Sequence, residues 1–222
     1  MPDLDFKVTG VEAAARGMTP LLQFALEVTA SPPEEPIQSA ILQAQIQFQC
    51  PRRAYNADEK EKLVDLFGTP ERWGQTLRNR LWTHSNFTLG PFTGATPARL
   101  QVACTFDLNV GAAKYFDALE GGDVPLLFLF SGTVFYSTQD GRLQVQRVSH
   151  EKECTWRMPA STWRELMDHH WPNTAWIVLH RDLFDRLNAY KRRSGCPDWD
   201  QALDRLLTGA ETPEPALPTP LL

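Results

Sequence analysis

The residues of this chain best able to do chemistry are its five histidines and four cysteines, and the densest group is His169-His170 with His180 a little further on. Adjacent residues on a helix point about 100° apart, given 3.6 residues per turn. One metal ion therefore cannot readily take both from a straight helix; zincin-type pairs sit at i and i+4. His170 could still converge with His180 and with Asp168 or Glu165, and that set defines a metal-binding or enzymatic alternative. The plainer reading leaves His169 exposed and makes His170 a cation at a helix C-terminus, because ligating imidazoles need partners that orient them. His150 and Cys154 share a strand face with Lys152 and Trp156, but positions four apart on a strand lie roughly 13 Å apart. That is too far for a local Cys-His nucleophile. Ser131 lacks the glycines of a nucleophile elbow. Gly121-Gly122 is not followed by the Lys-Ser/Thr of a phosphate loop, and no GxGxxG occurs. Asp58, Glu59 and Glu61 crowd a predicted helix start, where they favour the dipole. No catalytic, cofactor-binding or metal-ligating residue is assigned.

Seven tryptophans are a stronger signal. Trp73, Trp163 and Trp199 fall on apolar helix stripes, which assigns them to packing. Trp82, Trp171 and Trp176 are not so committed. Large amphipathic rings anchor protein interfaces, so these three are the candidate partner-binding residues, expected on an exposed apolar patch that includes at least one of them.

The elements that must position these residues begin as strands. Phe6 and Val8 open the first; Leu22, Phe24, Leu26 and Val28 alternate with polar or small residues in the second. Three prolines in Ser31-Pro32-Pro33-Glu34-Glu35-Pro36 make a loop. Residues 42–50 then read Leu-Gln-Ala-Gln-Ile-Gln-Phe-Gln-Cys, a period-two comb that places apolar side chains on one face and glutamines on the other. The comb has no lysine or glutamate to blunt an edge, so it belongs inside its sheet. A helical insertion follows at about 56–81. Asn56 and Glu59 match a capping box, Leu63, Leu66 and Phe67 form a stripe, and Thr69-Pro70 opens a second helix carrying Trp73, Leu77 and Leu81. Strand patterns resume near residues 83–89 and 100–108. Residues 111–120 suit a short helix. Residues 124–130 are apolar on both faces, as in a strand covered on both sides, with a helix as one candidate cover. Asp140-Gly141 signals a hairpin. Further on, helices are predicted at 161–170, around 183–190 and from Pro197, with a short strand at 175–179 and a proline-rich tail at 210–222 expected to be disordered.

The resulting fold class is α+β. An antiparallel β-sandwich, immunoglobulin-like or C2-like, occupies residues 1–158 with its helical insertion, and a mostly helical segment at 159–209 packs on it. A net charge of −5 argues against nucleic acid. Lys191-Arg192-Arg193 ends a predicted helix, where cations complement the dipole. The start lacks the basic and apolar regions of a secretory signal, and residues 124–130 are too short to span a bilayer as a helix. Four cysteines without CxxC spacing, with Cys50 and Cys104 on apolar strand faces, fit a reducing cytoplasm.

Several motifs together resemble a family of uncharacterised bacterial proteins of about this length. They are Leu66-Phe67-Gly68 with Glu71-Arg72-Trp73, Leu81-Trp82-Thr83-His84, Phe92-Thr93-Gly94, Ala113-Lys114-Tyr115-Phe116, Val124-Pro125-Leu126 and Phe130-Ser131-Gly132-Thr133-Val134-Phe135. Members are encoded beside high-affinity nickel-iron uptake hydrogenases, so the resemblance implies an accessory or assembly role and carries no catalytic residue. The expected function is a non-catalytic accessory protein without a cofactor that binds another protein, a hydrogenase component or its maturation machinery among the possibilities. The alternatives are the histidine-centred metal protein or enzyme, and an apolar small-molecule carrier with a cavity under a helical lid.

Overall fold

Alternating apolar and polar side chains build the strands β1 (Asp3–Ala13), β2 (Leu21–Ser31) and β3 (Ile37–Phe48). After a 3-10 turn at Cys50–Arg52 come three short helices, α1 (Ala57–Lys62), α2 (Val64–Phe67) and α3 (Trp73–Thr76). The chain continues through β4 (Arg80–Leu89), β5 (Ala95–Ala103), α4 (Val110–Ala118), β6 (Asp123–Ser137), β7 (Leu143–Arg147), β8 (Glu153–Pro159) and α5 (Ala160–His170). The computed structural model describes residues 1–14, 18–105, 110–138, 140–175 and 177–211, and divides the chain into two units, Met1–Thr174 and Ala175–Leu222. Of the predicted tail at 210–222, residues 212–222 lie outside the described residues.

Two antiparallel sheets make up the first unit, one ordered β1-β2-β5 and the other β4-β3-β6, with β7 and β8 also paired to β6. The glutamine comb is β3, and it lies inside its sheet between β4 and β6. Leu42, Ala44, Ile46 and Phe48 are buried, while Gln43 on the opposite face donates to Asn86 Oδ1 at 3.1 Å. Both sheets contribute to one apolar core: Phe6 of β1 stacks on Phe130 of β6 with ring centroids 4.1 Å apart, and Phe24 of β2 meets Phe128 edge-on at 5.2 Å. Each such ring buries roughly 1.5–3 kcal/mol of apolar free energy, several-fold more than the surface glutamine contacts return. The double-sided apolar run at 124–130 is the middle of the core: Val124, Leu126, Phe128 and Phe130 are buried, with Leu127 and Leu129 half-buried on the other face.

Because β3 occupies one edge of β6, both β7 and β8 pair along its other edge, β7 against 133–137 and β8 against 123–129. Between them the chain loops out around Ser131, held by Val148 N–H to Gly132 O and Phe130 N–H to Lys152 O. Breaking a long edge in this way removes a continuous template for foreign strands. The loop also delivers Lys152, only 16% exposed, to Asp3 and Asp5 on β1, at 2.5 and 2.7 Å. At the same point Gly132 takes φ +147°, and a Cβ there would stand 2.2 Å from Ile41 O and 2.9 Å from Leu42 Cα. The glycine is required by close approach of β3.

The structure departs from the sequence expectations in several places. The strand expected near 100–108 runs over Ala95–Ala103, and residues 106–108 of that expectation lie outside the described residues. The second insertion helix ends at Thr76, not near Leu81, because Arg80 already pairs with Phe48 in the β3–β4 ladder. Leu81 is 54% exposed as a result. Of the strand expected at 175–179, residues 175 and 177–179 form no strand, residue 176 lies outside the described residues, and Ile177 and Val178 are exposed. The unit boundary falls after Thr174, so α5 belongs with the sheets. The final helix runs on to Glu211, past the expected start of the tail.

The second unit holds α6 (Arg181–Arg193) and α7 (Trp199–Glu211). Phe184 meets Trp199 at 5.6 Å, Lys191 lies over the same indole, and Asp198 Oδ1 caps α7 by accepting from Gln201 N–H at 2.8 Å. Lys191, Arg192 and Arg193 close α6, as the dipole favours.

Gly132→Ala is expected to lose roughly 2–4 kcal/mol in urea unfolding, from strained φ and displaced backbone. An unchanged midpoint contradicts the close approach. Burial opposes charge on Lys152, but its hydrogen bonds to Asp3 and Asp5 outweigh burial and raise its pKa above the ordinary 10.5. With the folded pKa the higher one, this contribution is complete below that ordinary value and lost as pH rises through the folded pKa. Lys152→Met should cost about 1 kcal/mol at neutral pH and progressively less in strong alkali.

Candidate functional site

The 3-10 turn at Cys50–Arg52 carries two surface clefts on its flanks. Pro51 lines the larger, about 700 Å³, together with Trp73, Gly74, Leu77, Arg78 and Asn79. Gln49 and Arg52 line the smaller, about 360 Å³, with Pro125, Thr155, Trp156 and Arg157. Between them Cys50 points inward and is fully buried. Gln49, Cys50, Pro51 and Arg52 thus face, in turn, the smaller cleft, the core, the larger cleft and the smaller cleft again.

What fixes that segment is the next residue. The Arg53 side chain is 8% exposed and uses all five of its N–H groups. Two reach Glu59 in a bidentate pair, both at 2.9 Å. The others donate to the carbonyls of Asp123 at 3.2 Å, Ala54 at 3.5 Å and Gly121. The Glu59 side chain is 5% exposed, and besides Arg53 its carboxylate accepts from the backbone N–H of Asn56 and Glu120. The predicted capping box is present in both directions, since Asn56 Oδ1 accepts from Glu59 N–H at 2.8 Å. The cap, the ion pair and the approach to β6 are therefore one network. Tyr55 adds to it, its hydroxyl 3.0 Å from Cys50 O and 2.8 Å from the Tyr115 hydroxyl.

Burial works against Glu59 ionising, yet the Arg53 hydrogen bonds and the two backbone donors hold its pKa below the ordinary 4.5. Burial pushes the Cys50 thiol up to about 11, the Cys104 thiol to about 12, and the Cys154 thiol upward. These sulfurs stay protonated at neutral pH, which withholds the thiolate that nucleophilic chemistry needs.

Trp82 is 6% exposed and lies in an aromatic cluster, stacked on Phe48 at 5.0 Å and 6.2 Å from Trp163. It is the extra residue of a β-bulge, since Ile46 pairs with Thr83 and Gln47 with Leu81. The bulge turns Trp82 inward. Trp171 is half-buried against the core, and Trp176 lies outside the described residues. His169 and His170 have perpendicular rings 5.3 Å apart at the end of α5, and His180 belongs to the other unit. Among the described residues no group of three or more His, Cys, Asp and Glu is placed to hold a metal ion. No helix among them is long and apolar enough to cross a membrane. Sequence reasoning missed Arg52, Arg157 and Gln49, which are dispersed in the chain and carry no spacing signal.

With this geometry in view, the chain belongs to a family of unknown function, DUF6084, whose model matches residues 1–215. No curated protein matches it in sequence. Among solved structures it is similar to a late embryogenesis abundant (LEA) protein at 12% identity, covering 70% of this chain and 71% of that one, with a TM-score of 0.29. β-Glucosidase 3B from Thermotoga neapolitana matches at 9% identity over 70% of this chain and 17% of its own, with a TM-score of 0.26. A β-glucosidase from Kluyveromyces marxianus matches at 11% identity over 71% of this chain and 15% of its own, with a TM-score of 0.22. At these scores the likenesses bear on neither fold nor chemistry.

Arg53→Met should destabilise the protein by about 3–5 kcal/mol, because it strands a buried carboxylate. The double variant Arg53→Met/Glu59→Leu should recover part of that loss, a pattern read from thermal melts. Since the folded pKa of Glu59 is the lower one, its contribution is present above pH 4.5 and is lost as pH falls through the folded pKa. The acid limb of the wild-type stability profile should accordingly flatten in the double variant.

Proposed function

We propose that this protein is a non-catalytic accessory protein whose task is to bind another protein, with a hydrogenase component or its maturation machinery as the partner. The observation that carries this reading is the pair of clefts on either side of the Cys50–Arg52 turn, held by a buried and fully hydrogen-bonded ion pair. The larger cleft combines the half-buried side chains of Trp73 and Leu77 with the exposed Arg78. An apolar floor with a charged rim is the composition of a protein interface core. Protonated buried thiols favour binding over nucleophilic catalysis. The hydrogenase link comes from the family resemblance, and free cysteines suit a cytoplasmic setting.

In this reading the two sheets are the layers of a β-sandwich, immunoglobulin-like or C2-like. The Phe6–Phe130 and Phe24–Phe128 contacts between strands of different sheets support it. Such a scaffold suits an adaptor, because a rigid core leaves connecting segments to form the binding surface.

Affinity capture of the native protein from its host, beside an Arg78→Glu variant, tests the function. A hydrogenase subunit or maturation protein should be retained by the wild type and reduced about tenfold or more by the variant, with unchanged circular dichroism. Equal recovery by both proteins removes the larger cleft as the binding surface, and recovery of no such chain removes the hydrogenase partner.

A further inference from the structure

The smaller cleft has a donor excess that the fold does not use. Arg52 and Arg157 both line it, both are exposed, and among the described residues neither guanidinium takes part in an ion pair or hydrogen bond. The carboxylates nearest in the ladder, Asp123 and Glu153, lie on the same strands as the cleft but pair with neither arginine. Gln49 is 5% exposed, and among the described residues its side-chain amide makes no hydrogen bond. Trp156, between Thr155 and Arg157 on β8, pairs with the buried Leu126 and packs its side chain against the core. Thr155 adds a hydroxyl. Buried polar groups without partners are uncommon in native proteins and call for an explanation. Here Gln49 shares a cleft with two arginines that are unpaired among the described residues, in a chain whose net charge is −5.

We infer that this cleft recognises a carboxylate side chain on an acidic segment of the partner protein. Arginine forks pair with carboxylates through two parallel hydrogen bonds, and the Gln49 amide supplies a further donor to the same oxygens. At about 360 Å³ the cleft lies near the lower end of ligand-site volumes, a size for a side-chain head group. The backbone around it is fixed: Gln49 N–H donates to Pro125 O at 2.9 Å, and β8 is paired to β6 along 123–129. The inference rests on the interaction reading above and names the chemistry of the partner.

The test uses the full chain labelled with 15N at tryptophan, the Trp156 indole signal being assigned by a Trp156→Phe variant. The probe is a tetraglutamate peptide, acetylated and amidated at its ends, with a tetraglutamine peptide blocked in the same way and inorganic phosphate for comparison. The acidic peptide should shift the Trp156 signal saturably at low ionic strength and lose affinity on adding salt. The Arg52→Gln/Arg157→Gln variant should bind it at least about tenfold more weakly while keeping the other indole signals. No saturable shift up to concentrations on the order of 10 mM overturns the inference, since weaker association has no use in a specific interface. Equal affinity for the glutamine peptide overturns its charge basis without recourse to any variant. Saturation by phosphate but not by peptide overturns the assignment to a protein carboxylate. Failure of peptide binding with intact partner capture removes this inference alone; loss of capture with intact peptide binding removes the hydrogenase reading alone.

Discussion

A guanidinium in a dry place must find an acceptor for every N–H or leave part of a charge unsolvated, and this requirement on Arg53 organises the surface of the first unit. Its five donors reach Glu59, two carbonyls that precede and begin β6, and a neighbouring carbonyl. Segments far apart in the chain are thereby fixed to one another: the end of β3, the start of the helical insertion, and the entry to β6. Hydrophobic burial alone would bring these segments close without defining their register. A fully satisfied ion pair tolerates few alternative arrangements, because any slip strands a buried charge.

The network sits directly beside the surface proposed to bind. Arg53 follows Arg52, so the residue that holds the turn and the residue offered to a partner are adjacent. The tyrosine pair Tyr55–Tyr115 and the aromatic contacts of Tyr55 and Phe67 with Trp73 continue from the same network toward the floor of the larger cleft. Order in the turn lowers the conformational entropy a partner would otherwise have to remove on docking. The stability of the insertion and the shape of both clefts thus share one physical cause.

Much of the strand framework was legible, because period-two alternation leaves little choice of face: β2 and β3 follow their patterns, β5 keeps the expected faces at Leu100 and Val102 but starts five residues earlier, and the comb lies inside its sheet for the reason its composition implies. The Asn56–Glu59 cap was legible too, being a local motif. Arg53 was not, since its partners Gly121 and Asp123 lie about seventy residues away and offer only backbone oxygens. Trp82 was misleading because one extra residue in β4 reverses its parity relative to Phe87 and Leu89. Residues 177–179 have strand-like composition but pair with no strand among the described residues, and composition does not reveal that. The arginines of the smaller cleft come from the turn and from β8, so only the fold brings them together.

Hydrogen–deuterium exchange on the complex captured from the host, compared with the free protein, probes the binding surface most directly. New protection is expected in the backbone of residues 49–53, 73–79 and 155–157, which line the two clefts. Protection confined to α6 and α7, with those segments unchanged, would contradict a partner seated at the Cys50–Arg52 turn.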